Sequence, residues 1–230
     1  MRALAIAASL IVTAGILAAD TPQERLKESA DVFSEVMQIP EKGIPQDLLA
    51  KAQCVVIIPN LKKAAFVVGG EYGRGFAECR NPNGRGWAAP APVRTEGGSF
   101  GFQLGASSTD VILLVMNRHG MKELDQDKFT LGADASVAAG PVGREAEAKT
   151  DVRLDAEILA YSRSKGLFAG IALNGATLRP DRDEAAKLYG KEVTNREILK
   201  GEIPAPPSAR PLIAQLDRYS TFSNGASPSR

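Results

Sequence analysis

The sequence predicts an α+β fold, in which a curved antiparallel sheet, sandwich-like or barrel-like, is flanked by N-terminal and C-terminal helices. Three observations carry this reading. Residues 22–37 repeat apolar side chains at helical spacing, residues 54–115 break into β-rich runs separated by turn residues, and helical patterns return from residue 181. The whole is one domain, residues 20–222, between a leader and a short flexible tail at 223–230 that is rich in Ser, Gly and Pro.

The leader comes first. Met1 and Arg2 give a positive start, residues 3–17 carry no charge, and small Ala18 and Ala19 precede Asp20, which reads as a signal peptide, residues 1–19, cut after Ala19. A buried helix or an uncleaved anchor is the alternative, although about 17 apolar residues are short for a bilayer span. No Cys follows the apolar stretch, so a lipoprotein is not expected, and the signal predicts a periplasmic or secreted protein.

Thr21-Pro22-Gln23-Glu24 then combines an N-cap hydroxyl, Pro at the first helical position and Glu three residues after the cap. Leu26, Ala30, Phe33 and Met37 follow on one face, so a first amphipathic helix spans 22–37. A second, shorter helix is expected over 46–53, with Ile44, Leu48, Leu49 and Ala52 facing inward.

The β-rich runs are CVVIIP, AAFVVGGEYGRGFAEC, GWAAPAPV, SFGFQLGA and DVILLVMN. Pro59-Asn60, Asn81-Pro82-Asn83-Gly84, Gly97-Gly98 and Ser107-Ser108 read as the turns between them. Spacing this close predicts an antiparallel meander, since parallel pairing needs crossovers of a dozen or more residues. Residues 118–124 suggest a helical turn. Residues 132–140, 156–164 and 167–173 suggest further strands, the last two joined at Lys165-Gly166. Helices are expected over 181–189 and 194–200, a stiff connector over 204–207, and a last helix carrying Leu212, Leu216 and Tyr219.

Cys54 and Cys79, the two cysteines, would meet an oxidising compartment behind the signal, which favours a disulfide closing a loop of 25 residues. Such a bond is worth roughly 3 kcal/mol in the chain-entropy account. Two buried thiols are the alternative, and two Cys without a companion His do not make a metal site.

These residues and motifs resemble the SYLF domain family, which includes eukaryotic actin-patch and phosphoinositide-binding adaptors. The resemblance rests on LLAKAQCVVIIP behind Ile44-Pro45, KKAAFVVGGEYGRG, GWAAPAPV, GGSFGFQLGASSTDVILLVMN, FTLGADASVAAGPVGR, and YSRSKGLFAGIALNGATLRPD followed by Leu188-Tyr189. It runs over about residues 22–219. The resemblance implies a lipid-binding module with no known catalytic activity, in which an N-terminal amphipathic helix and basic surface residues engage phosphoinositide membranes. Some relatives bind actin. In a bacterial envelope, the setting the signal suggests, the anionic lipids would be phosphatidylglycerol, cardiolipin or lipopolysaccharide. The first helix departs from the expectation: Arg25 and Lys27 stand against Glu24, Glu28, Asp31 and Glu35, whereas a helix lying on anionic lipid usually has a basic polar face. Leu26, Phe33 and Met37 therefore pack on the sheet or face a membrane.

Removing Arg2 leaves 27 basic and 27 acidic residues, so nothing global attracts nucleic acid or anionic lipid, and any such contact must come from a local patch. The most plausible basic cluster comprises Lys62 and Lys63, Arg80 and Arg85 beside the next turn, and Arg163 with Lys165 at a third. If those tips meet on one edge they would hold a phosphate-bearing headgroup; otherwise they are scattered solubilising charge. Trp87, the one tryptophan, is an interfacial anchor or a core aromatic.

Catalysis finds no support. His119 is the single histidine and no G-x-S-x-G elbow accompanies it. Phosphate-loop glycine patterns are absent, and the glycines of 69–75 read as sites of bulges or close strand approach. The carboxylates Asp125 with Asp127, and Asp181, Asp183 and Glu184, read as solvated charge. The sequence thus predicts a non-enzymatic, cofactor-free module bound peripherally to anionic membrane lipid. The competing reading is an envelope structural or protein-interaction module.

Overall fold

A computed structural model describes residues 20–39, 42–65, 68–83, 85–100, 105–143, 156–164, 166–171 and 173–220. The expected signal peptide at 1–19, Lys165 and the expected tail at 223–230 lie outside the described residues. Helix α1 spans Pro22–Met37, and its capping box forms as the sequence predicts, with Glu24 N–H donating to Thr21 Oγ1 and Thr21 N–H donating to the Glu24 carboxylate. Helix α2 is Gln46–Lys51. Nine strands follow among the described residues: β1 Cys54–Ala65, β2 Val68–Cys79, β3 Ala91–Phe100, β4 Gly105–Val115, β5 Phe129–Thr130, β6 Val137–Ala139, β7 Ile158–Ser164, β8 Leu167–Gly170 and β9 Thr177–Pro180. A one-turn helix α3, Arg118–Glu123, interrupts them. Helices α4, Arg182–Tyr189, α5, Asn195–Leu199, and α6, Arg210–Tyr219, follow the strands in the described residues.

The strands form one sheet in the order β5-β9-β3-β2-β1-β4-β7-β6, with β8 paired to the far part of β7. The expected meander holds only for β1 to β3. Strand β4 pairs with β1 rather than with β3, giving Greek-key order, and β6 runs parallel to β7. The two end strands, β5 and β6, are consecutive in sequence and are joined through a Leu131–Ala135 bridge, so the sheet must curl toward itself as a half-barrel.

Three of the expected turns lie inside strands. Pro59-Asn60 is a bulge in β1, where pairing shifts on both sides and Asn60 takes a left-handed φ of 51°. Pro supplies no ladder N–H, and Asn tolerates the left-handed region. Gly97-Gly98 continues β3, and Ser107-Ser108 continues β4. Opposite the bulge, a Cβ on Gly75 would stand 1.9 Å from the Ile57 carbonyl oxygen, so only glycine fits that approach.

Strand β1 is buried on both faces. Cys54, Val56 and Ile58 point into one apolar cluster with Phe129, Leu131, Leu178, Ile198 and Leu199. Val55 and Ile57 point into the other, under Leu26, Phe33 and Val36 of α1, Leu48 and Leu49 of α2, and Leu212 and Leu216 of α6. Cys54 sits directly opposite Cys79 in the ladder, and the two form a disulfide.

Charge is also used inside. Arg25 Nη1 is 2.6 Å from Glu184 Oε2, Arg74 Nε is 3.0 Å from Asp181 Oδ2, and Arg74 Nη1 is 3.4 Å from Glu184 Oε1. This network ties α1, β2 and α4 together. Asp181 and Glu184 are therefore buried, not solvated as the sequence suggests, while Asp183 is exposed. Asp181 also accepts from the Glu184 N–H as the α4 cap.

Glu78 is buried on the helix-covered face and neither carboxylate oxygen has a hydrogen-bond partner among the described residues. Burial, and secondarily Asp217 on α6, push its carboxyl well above the ordinary value. The folded protein therefore keeps a proton that the unfolded chain releases above about pH 4.3. Stability should fall as pH rises from there toward the raised native value. Glu78→Gln should flatten that dependence, raising the urea midpoint at pH 8 while leaving it nearly unchanged at pH 4. Equal midpoints for the two proteins at pH 8 would contradict the buried neutral acid.

Candidate functional site

The ladder registers decide which of the sequence-nominated cations share a surface. Lys62 stands opposite Tyr72 on one side and Ser108 on the other, and Arg163 pairs with Asp110, two residues further along β4. The β7–β8 turn, where Leu167 faces Ser164, therefore lies at the same end of the sheet as Lys62. Arg80, Arg85 and Trp87 lie at the other end, beyond Cys79. Eight residues of strand separate Tyr72 from Arg80, roughly 26 Å. The five nominated cations among the described residues do not form one cluster.

Most of them are already engaged. Arg80 donates through Nη2 to the carbonyls of Leu49 at 3.1 Å, Ala50 at 3.2 Å and Ser220 at 3.3 Å, and through Nε to Ala52 at 3.3 Å. It satisfies the C-terminal carbonyls of α2, which have no partners within so short a helix. Its guanidinium also lies 4.1 Å from the Trp87 ring centroid. Burial lowers the Arg80 pKa, opposed by Asp217. Trp87 is only 5% exposed and its Nε1–H donates to Ser220 Oγ at 2.9 Å, so it is a core aromatic and not an interfacial anchor.

Arg163 is held by Asp110, with Nη2 at 2.8 Å, and by Glu35 of α1. Lys63 pairs with Glu71 at 2.9 Å. Lys62 and Arg85 are exposed, and neither has an ion-pair partner among the described residues. Leu26 and Phe33 are buried against the sheet, Phe33 makes an edge-to-face contact with Tyr219 at 6.2 Å, and Met37 is half-buried beside them. The apolar face of α1 is thus packed inward, which settles the alternative the sequence left open.

What remains outward is a rim that sequence reasoning only half found. Leu167 is 78% exposed and Tyr72 44% exposed, and among the described residues these are the two large hydrophobic side chains left in solvent. Both belong to the end of the sheet that carries Lys62, with the exposed Ser107, Ser108 and Gly166 around them. Neither was legible in the pattern, because a sheet covered on both faces gives no alternation from which outward positions can be read. The turn at Gly166, φ 78°, was the available signal for Leu167.

Comparison with known proteins places this geometry. Residues 96–219 match the family described as Ysc84, Las17-binding protein actin regulator. The chain is 34% identical over 200 residues to SH3 domain-containing YSC84-like protein 1 of Xenopus laevis, an alignment covering 84% of this chain and 59% of that protein. The chain belongs to the Ysc84, or SYLF, family. The human protein of the same name is 31% identical over 199 residues, 84% of this chain and 58% of its own length. LAS seventeen-binding protein 3 of Saccharomyces cerevisiae is 36% identical over 180 residues, 77% of this chain and 39% of its own. The chain thus spans between about two fifths and three fifths of these relatives.

The single histidine of this SYLF domain does not assemble a nucleophile. His119 Nδ1 lies 2.6 Å from Glu157 Oε1, and Glu157 accepts from the Ser136 N–H at 2.8 Å and hydroxyl at 3.3 Å. The carboxylate stands between Ser and His, so the imidazole is not placed to take the serine proton. The Ser136 N–H, and then His119, hold the Glu157 carboxyl below its ordinary value.

The burial of Trp87 makes a clear spectroscopic expectation. Emission of the native protein should be blue-shifted, and addition of anionic vesicles should leave its maximum unmoved even when the protein is bound. A further shift with vesicles would place Trp87 at the lipid and overturn its assignment to the core.

Proposed function

We propose that the chain is a non-enzymatic, cofactor-free module that associates peripherally with anionic phospholipid through the rim of Lys62, Tyr72 and Leu167. The observation that carries the reading is that, among the described residues, both exposed large hydrophobic side chains stand at the end of the sheet that carries Lys62, with Tyr72 directly opposite it and no ion-pair partner for the lysine. An exposed aromatic and a leucine at turn level suit shallow insertion, and a cation beside them suits a phosphate headgroup. With the leader at 1–19, this protein would act in the periplasm or outside the cell. No helix of the described residues is long and apolar enough to cross a membrane.

A protein partner is the second reading, favoured by the relatives' names. These speak of Las17 binding, an SH3 domain and actin regulation. The same rim, with its apolar side chains, would then meet a polypeptide.

Salt separates the two readings, because screening weakens headgroup contacts more than apolar burial. The protein from Asp20 onward should pellet with phosphatidylglycerol vesicles and not with neutral ones, less so at high salt. Leu167→Asp should weaken pelleting by roughly tenfold or more, the equivalent of a buried leucine. Lys62→Glu should weaken it further at low salt than at high salt. Pelleting with no vesicle under any condition, by a protein that is folded, would overturn the lipid reading in favour of a protein partner.

A further inference from the structure

Arg94 on β3 stands directly opposite Arg74 on β2 and, on its other side, directly opposite Arg179 on β9. Like charges placed opposite one another in a ladder are destabilising unless something answers them. Arg74 is answered by Asp181 and Glu184. The outer two are not answered to the same degree. Glu96 is the one carboxylate within ion-pair distance of either among the described residues, at 3.0 Å from Arg94 Nε and 3.8 Å from Arg179 Nε. The Nη groups of both arginines have no protein acceptor among the described residues.

These arginines line an open surface cleft of about 400 Å³, closed on its other sides by Asp127, Pro180, Arg182 and Asp183. Arg182 pairs with Asp127 at 2.5 Å, but both side chains are largely solvated, so that pair exchanges readily. Arg94, Arg179 and Glu96 are only partly exposed. Counting Glu96, three arginines face three carboxylates, so the cleft is no general attractor of polyanions. Its distinguishing feature is geometric: Arg94 and Arg179 stand directly opposite one another in the ladder, and the Nε atoms of both lie within ion-pair distance of the one half-exposed carboxylate of Glu96.

We propose that this cleft is a receptor for a phosphate monoester, with Arg94 and Arg179 as its anchors and Glu96 as the internal anion that holds their place. A second carboxylate would only repeat what Glu96 does. A dianion with three peripheral oxygens uses both forks at once, and bidentate recognition of that kind is what arginine does and lysine does not. The ester is supplied either by a lipid headgroup or by a soluble metabolite. The cleft adjoins the rim, since Glu96 lies opposite Tyr72, yet the inference stands without the rim reading because its main readout needs no membrane.

Calorimetric titration with glycerol 3-phosphate in a chloride buffer tests it. The unmodified protein should bind one equivalent. Arg179→Lys, which keeps the charge and loses the fork, should weaken binding by roughly tenfold. Glu96→Gln should tighten it by about threefold, a gain that an unfolded variant cannot mimic. Absence of saturable binding to the unmodified protein would overturn the proposal, as would an affinity that neither variant changes. Vesicles then distinguish the sources: preference for phosphatidate, a monoester, over phosphatidylglycerol, a diester, assigns a membrane ligand, and equal pelleting with both assigns a soluble one. Leu167→Asp should leave glycerol 3-phosphate binding intact, which separates failure of the rim from failure of the cleft.

Discussion

Burial of β1 on both faces is the constraint from which the rest of the structure follows. Cys54 to Ile58 offers five consecutive side chains to two apolar layers, so the strand has to be central, with neighbours on both edges and cover above and below. That requirement pulls β4 across to the free edge of β1 and breaks the meander. It also recruits both ends of the chain as cover, with α1, α2 and α6 on one face. At Pro59-Asn60 the bulge marks where this demand changes. Beyond it β1 alternates buried Leu61 with exposed Lys62, and the paired strands run on toward the rim. One strand thus has a structural half and an outward half.

The same division applies to the cations. Arg25, Arg74, Arg80 and Arg163 are each committed to carboxylates or carbonyls that join separate elements. Removing one partner from a buried pair typically costs about 3–5 kcal/mol, so such residues are not available to a ligand without loss of fold. Lys62, Arg85, Arg94 and Arg179 are among the cations whose hydrogen-bonding capacity exceeds what the described residues use. Net charge, close to zero, conceals this distinction entirely. A count of basic residues near turns cannot recover it, because Arg80 and Arg85 look alike in sequence and only one caps a helix.

Local signals were legible where a single segment decides its own structure. The capping box at Thr21 fixed the start of α1, and the Thr194 and Asp181 caps mark α5 and α4. The disulfide, which cysteine parity favoured over two buried thiols, is formed between Cys54 and Cys79. What could not be read depended on contacts distant in sequence. Glycine and Ser-Ser pairs signal turns in isolation, yet Gly70 opposite Gly98 and Lys63 opposite Ser107 keep these segments in the ladder. Strand β9 is four residues ending in Pro180 and carries no period of its own; it exists because β3 offers an edge. The arginine row is likewise a product of register, with Arg74, Arg94 and Arg179 scattered over more than a hundred residues.

Register also bears on which surfaces the folded protein could offer to a membrane. For α1 to lie on lipid by its apolar face, Leu26, Phe33 and Val36 would have to leave the core. Each is worth about 1.5–3 kcal/mol of burial, so the three together approach the 5–15 kcal/mol by which a domain of this kind is stable at all. The Arg25–Glu184 contact and the Phe33–Tyr219 ring pair would be lost with them. Detachment of α1 is therefore nearly equivalent to unfolding, and its acidic polar face would gain little from an anionic surface in return. Any contact with lipid made by the folded protein has to use groups already outward, and the sheet's register has gathered Lys62, Tyr72 and Leu167 at one end, with the arginine cleft beside them.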